Sequence, residues 1–232
     1  MKRLPLTIFF AALVLFAAPA QSADREFLCG FTGFDYVVAA NPGGGPGAPT
    51  PFLSLNDEYC AVGFITSMSP LLAGVTHPAD EHTFHLAEAM ASSVYWDGSV
   101  LEVIFAPHAR FRIYEDTNHN AVSGVNPVNA TSPATFIDGT LLLGADITNL
   151  VLVYDYTVNQ GNFDCQAELD EGSQLATIPV EQRAGWVMSG TAGRPNATIP
   201  DGYVNQLSGE VQIPGATPAA HRSWGSVKKL YR

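Results

Sequence analysis

Apolar positions along the 232-residue chain come in short runs, and Gly, Pro, Asn or Asp breaks most of them. That is the pattern of strands joined by turns. Phe27 to Val38 predicts a first strand or two around a glycine break, and Glu58 to Met68 predicts the next. Val94 to Trp96, Asp97-Gly98 and Ser99 to Phe105 predict a hairpin, because an Asp-Gly pair accepts the positive φ angles of a tight turn. From Arg110 to Tyr114, Phe111 and Ile113 alternate with Arg110, Arg112 and Tyr114, the mark of a half-buried strand. Phe136-Ile137, Asp138-Gly139 and Thr140 to Leu143 repeat the hairpin pattern. Leu150 to Val158 predicts a long strand, which Asn159 to Asn162 turns back into Phe163 to Leu169. Trp186 to Thr191 and Tyr203 to Ile213 complete the set.

Roughly nine or ten short strands of this kind predict an all-β domain: a single antiparallel β-sandwich, jelly-roll or immunoglobulin-like, with at most one short helix. Asp80 to Ser92 is the segment that resists. Its Ala, Glu, Leu and Met content, with Phe84, Ala87 and Ala91 at helical spacing, favours a helix. All-β surroundings would make the same residues an edge strand, and the pattern leaves both open. Residues 41–51 hold too much Gly and Pro for regular structure.

The ends of the chain differ from its body. Lys2 and Arg3, the apolar run from Leu4 to Ala18 and the small residues after it have the order of a secretory signal peptide, here residues 1–23. The run is shorter than the ~20 residues that a membrane-spanning helix needs, and no later stretch is long and apolar enough. The expected location is therefore secreted or periplasmic, with no integral membrane span after signal removal. The domain covers residues 24–213. Residues 214–232 read as a Pro/Gly linker and a short basic amphipathic tail. On a helix capped by Ser223, Trp224, Val227, Leu230 and Tyr231 line one face, with Lys228 and Lys229 turned away. Too short to be stable alone, such a helix would order only against a partner, so these residues form a candidate docking segment.

Charge narrows the partners. The chain has 11 basic and 22 acidic residues, and only five of the basic ones (Arg25, Arg110, Arg112, Arg183 and Arg194) lie between Asp24 and His221. So acidic a body repels phosphate backbones, which excludes nucleic acid and leaves a protein or glycan partner. An oxidising compartment would join two of the three cysteines. Cys29 and Cys60, either side of the long loop, are the expected disulfide.

Candidate chemistry is sparse. Asp116, Asn118 and Asn120 place three oxygen-bearing side chains at alternate positions after a strand, as calcium-binding loops begin, although the later positions depart from the EF-hand pattern. Calcium is the one cofactor this suggests. His82 and His85, near Glu81 and Glu88, supply at most two nitrogens for zinc and read as histidines on an acidic surface. No Gly-x-Ser-x-Gly elbow or cysteine-protease context is present, and Glu102 reads as an outward carboxylate on a half-buried strand. Trp96 and Trp186, with Tyr95 and Tyr203, are either core aromatics or a flat platform for sugar rings. Asn129 and Asn196 each open an Asn-Ala-Thr glycosylation sequon. The reading that follows is an exported, non-catalytic protein acting by surface recognition or cell-envelope association. The alternative is a carbohydrate-binding module or carbohydrate-active enzyme.

Overall fold

The computed structural model describes residues 25–38, 52–74, 76–121, 134–194, 199–200 and 202–214. The signal peptide, the Gly/Pro loop, both sequons and the docking segment lie outside them. The fold is all-β, antiparallel and sandwich-like. Its strands are β1 (Arg25–Val38), β2 (Glu58–Met68), β3 (Glu81–Trp96), β4 (Val100–Phe105), β5 (Ala109–Asp116), β6 (Thr140–Ile147), β7 (Val151–Asp155), β8 (Gln160–Glu171), β9 (Trp186–Gly193) and β10 (Gln206–Pro214). Two four-residue helices, α1 (Pro70–Ala73) and α2 (Ala134–Ile137), add one more helical turn than the pattern predicts.

The ten strands form one sheet in the order β2-β1-β10-β9-β8-β6-β5-β3-β4-β7, with β2–β3 and β8–β7 also paired. The two extra pairings close the ladder. β3 pairs with β5 through Ala87 and with β4 from Ala91 onward, and β8 pairs first with β7 and then with β6. Every described strand thus has at least two partners, which removes the open edges at which chains aggregate. Asp80 to Ser92 is settled as strand. Ladder bonds to β2 and β5 outweigh its helix propensity, and it bends at a bulge where Glu88 takes a φ of 62°.

Alternation does what it predicts. Phe31, Phe84, Phe111 and Phe163 point inward and meet at the centre, with ring centroids 4.9 Å apart for Phe31–Phe84 and 5.6 Å for Phe84–Phe111. Three of these rings lie directly opposite a glycine on the next strand: Phe31 opposite Gly209, Phe84 opposite Gly63 and Phe163 opposite Gly190. The void enclosed by these rings with Tyr59, Leu86 and Met188 is only about 10 Å³, so the interior is dry. A second, smaller cluster covers the outer face of β1 and β2, where Tyr36, Cys60, Val62 and Tyr203 pack with Phe136 of α2.

The Asp97-Gly98 hairpin forms, with Gly98 at φ 98° and the Asp97 carboxylate accepting from the Ser99 and Val100 amides. The second expected hairpin does not. Phe136-Ile137 ends α2 instead of a strand, because Phe136 is drawn into the outer cluster and β6 pairs with β5. The Asn159 turn lies a few residues early, at 156–159, with Asp155 opposite Gln160.

The Cys29–Cys60 disulfide is also corrected, for all three cysteines are free and buried. Cys29 lies opposite Met68 on β2, whereas Cys60 lies opposite Tyr36 on β1. At ~3.3 Å per residue these levels are about 23 Å apart, far beyond disulfide reach. Burial pushes the thiols of Cys29, Cys60 and Cys165 up to about 12. A thiol-reactive dye should therefore label none of them in the native protein and all three after unfolding, measured by absorbance.

Gly63→Ala should destabilise the fold by about 3 kcal/mol in urea titration. A Cβ there would lie 2.2 Å from the Thr32 carbonyl oxygen and 2.7 Å from the Phe84 ring. Gly98→Ala meets nothing within 4 Å, and should cost only about 1 kcal/mol of backbone strain.

Candidate functional site

The strand register gives the sheet two distinct ends. One holds Val38, Glu58, Trp96, Asp155, Gln160, Gly193 and Gln206; the other holds Arg25, Met68, Glu81, Asp116 and Pro214. The candidate site lies at the first end. There the described residues Phe52, Tyr154, Tyr156, Asn159, Arg194, Val204 and Asn205 line a cleft of about 200 Å³.

Local sequence explains how the walls are built. Tyr154 is the last inward position of β7, and the chain then turns, which leaves Tyr156 beside it at 4.9 Å between ring centroids. Tyr156 is held from two sides: its hydroxyl accepts from the Phe52 amide at 2.8 Å, and Trp96 meets its ring edge-on at 4.9 Å. Phe52 in turn crosses Tyr154 at 5.4 Å. Arg194 follows β9, and its guanidinium Nε donates to the Val204 carbonyl.

Beneath the cleft is a buried carboxylate. Asp35, with no exposed surface, sits at an inward position of β1. Its Oδ1 accepts from the Asn205 amide at 2.6 Å, and its Oδ2 accepts from Asn205 Nδ2 at 2.9 Å and the Tyr59 hydroxyl at 3.0 Å. The backbones pair too, Asp35 N donating to Asn205 O and Val204 N to Asp35 O. Burial raises the Asp35 carboxyl to about 6, the hydrogen bonds from Asn205 and Tyr59 and the Arg194 charge pulling the other way. With both carboxyl oxygens accepting hydrogen bonds, Asp35 fixes the cleft floor in place.

The residues singled out in the sequence are scattered. Trp96 is half-buried beside the cleft, but Trp186 lies at the opposite end, 2% exposed, its indole Nε1 donating to the Gln182 carbonyl at 2.7 Å. A platform of Trp96 and Trp186 therefore does not form; Trp186 is a core residue. Tyr95 is exposed and Tyr203 buried. Glu102 faces outward, as its alternation predicts. Asp116, Asn118 and Asn120 gather at the far end, where Asp116 Oδ1 accepts from the Asn118 amide. His85 packs beside Arg112 on the outer face, and burial together with that guanidinium lowers it to about 4.

His82 belongs to another group. Its Nε2 lies 3.2 Å from Glu115 Oε1, which also accepts from the His77 amide, and Asp80 lies 3.8 Å from His77 Nδ1. The ligand atoms of His77, Asp80 and Glu115 fall within 4.8 Å of one another. Neither this trio nor the aromatic cleft is readable along the chain, because each joins residues from distant elements. Only the apolar run at Leu152–Tyr156 hints at the cleft. No family model, curated protein or solved structure matches this chain.

Asp35 makes stability pH-dependent in a defined direction. Its pKa is above the ordinary 3.8, so the folded state holds the proton more tightly, and its contribution falls as pH rises from about 4 to about 6. Relative to Asp35→Asn, the protein should gain up to about 3 kcal/mol of unfolding free energy between pH 7 and pH 4. Parallel urea curves for the two proteins would contradict this.

Proposed function

We propose that the chain is an exported, non-catalytic binding protein that recognises a neutral saccharide at the aromatic cleft. The observation that carries this reading is the cleft's composition. Phe52 and Tyr156, both half-buried, present aromatic walls over the buried Tyr154, and the exposed Asn159 and Arg194 stand beside them as hydrogen-bonding side chains. Aromatic faces bury the apolar face of a sugar ring, and a few fixed polar groups read its hydroxyls. At about 200 Å³ the cleft is smaller than the ~300–1,000 Å³ of drug-sized sites, which suits one sugar ring of a larger glycan.

Binding is favoured over cleavage by the chemistry of the lining. Glycoside hydrolysis uses two carboxyl groups facing across the substrate, and none of the described lining residues is Asp or Glu. The carboxylate beneath the cleft, Asp35, is fully engaged by Tyr59 and Asn205. The export part of the reading rests on Lys2, Arg3 and the apolar run from Leu4 to Ala18. Secretion or periplasmic release is part of the proposal.

Glycan-array screening followed by calorimetry tests it. Saturable sugar binding is expected, with Tyr156→Ala and Arg194→Ala each weakening it at least about tenfold, a loss of about 1.4 kcal/mol. Trp186→Ala should instead lower the melting temperature. Absence of any glycan ligand, or binding that survives both cleft variants, would refute the assignment; hydrolysis of a bound glycan would move it to the enzyme class.

A further inference from the structure

The chain enters β3 through a tight turn, His77-Pro78-Ala79-Asp80, closed by the Asp80 amide donating to the His77 carbonyl at 3.0 Å. Pro78 holds the second position, where its fixed φ favours such a turn. The turn brings its two ends together, with His77 Nδ1 3.8 Å from Asp80 Oδ2. β5 supplies a third group. Glu115 lies opposite His82 in the β3–β5 register, and its Oε1 accepts from the His77 amide at 2.6 Å, which fastens the turn over the strand end. His77 Nδ1 is 3.8 Å from that same oxygen, and one ligand atom from each of His77, Asp80 and Glu115 lies within 4.8 Å of the other two. Donor atoms 3.8 Å apart are bridged by a single ion at bond lengths of about 2.1 Å.

The two carboxylates have no fixed cation. The side chains of Asp80 and Glu115 are only 18% and 13% exposed, and like charges held together away from water repel. Among the described residues, both pair with histidine alone. The arginine pairs lie elsewhere, Arg110 and Arg112 engaging Glu88, Asp170 and Glu171. The His82 side chain is 9% exposed, and its Nε2 lies 3.2 Å from Glu115 Oε1, a hydrogen bond that aims the carboxylate. The His77 side chain is 80% exposed, so one flank of the group opens to solvent.

We propose that His77, Asp80 and Glu115 bind a zinc ion, with His82 as a positioning residue behind Glu115. An imidazole nitrogen beside two carboxylate oxygens is a donor set for zinc, whereas calcium takes roughly six to eight oxygens. Hydrogen bonds to the ligating groups hold them in the orientation the metal needs, which is the part His82 plays. Three protein ligands leave the fourth position of a tetrahedral ion open on the solvent side of His77, for water or a donor atom from a partner. The ion ties the turn before β3 to the end of β5, and this site is independent of the saccharide reading of the cleft.

The test is calorimetry and thermal unfolding of the chelator-treated full chain near neutral pH, with zinc alone and, separately, with calcium alone. Zinc should bind one ion per chain and raise the melting temperature by about 5 °C, and calcium at the same concentration should not. His77→Ala and Asp80→Asn should each weaken zinc binding at least about tenfold. His77→Ala removes an exposed side chain, so its metal-free melting temperature should match the parent's and separate lost binding from lost fold. His82→Ala should also weaken binding about tenfold, and His82→Gln, which keeps a donor for Glu115, should restore most of it. His108→Ala, at an exposed histidine beside Asp146, should change nothing. No heat and no thermal shift with zinc would overturn the proposal. So would an equal response to calcium, a zinc response that survives both His77→Ala and Asp80→Asn, or one that His108→Ala abolishes. Equal losses in His82→Ala and His82→Gln would remove the positioning role.

Discussion

The close approach of strand backbones under three phenylalanine rings is the constraint on which the rest of the structure depends. Phe31, Phe84 and Phe163 each cover a glycine on the neighbouring strand, and the glycine is what lets the ring lie down on the sheet. A side chain at Gly63, Gly190 or Gly209 would collide with a ring and with a backbone carbonyl together. Closing a sheet needs strong curvature, and glycines at defined positions, rescued by aromatic neighbours, are a known physical route to it. The four central rings then fill the space that the missing side chains vacate, and hardly any void remains. Curvature and core are one arrangement.

Closure gives the protein two ends with opposite chemistry. At the cleft end, Asp35 and Asn205 exchange backbone and side-chain hydrogen bonds across 170 positions of sequence. This link pins Val204 and Asn205, just before β10, at the floor of the cleft. Preorganisation of this kind lowers the ordering cost of binding. At the other end lie the carboxylates of Glu81, Asp116 and Asp138. The two ends therefore differ in chemistry, with rings and amides at one and carboxylates at the other.

The outer cluster ties these ends together. Tyr203 lies two residues from Asn205, and Phe136 lies two residues from Asp138. Both pack into the same patch over β1 and β2. The residues flanking Asp138 and Asn205 thus share one packed patch over β1 and β2. That patch contains Ala121, Phe136, Val62, Tyr36 and Tyr203.

Two-residue alternation by itself determined the all-β class, most strand positions, the Asp97-Gly98 hairpin and the outward set of Glu102, because each depends on residues adjacent in the chain. It also marked Asp116, Asn118 and Asn120, whose spacing is local. Tertiary structure decided what depends on partners. Asp80 to Ser92 became a strand because two neighbours supplied ladder bonds, and Phe136 left its expected hairpin because an apolar patch was waiting for it. Cys29 and Cys60 were separated by a register that spacing does not reveal. Trp186 went to the core, while Trp96 reached the cleft through Tyr156. The cleft itself joins Phe52, Tyr154 and the pair Arg194 and Asn205 from three distant segments, and only the closed sheet brings them together.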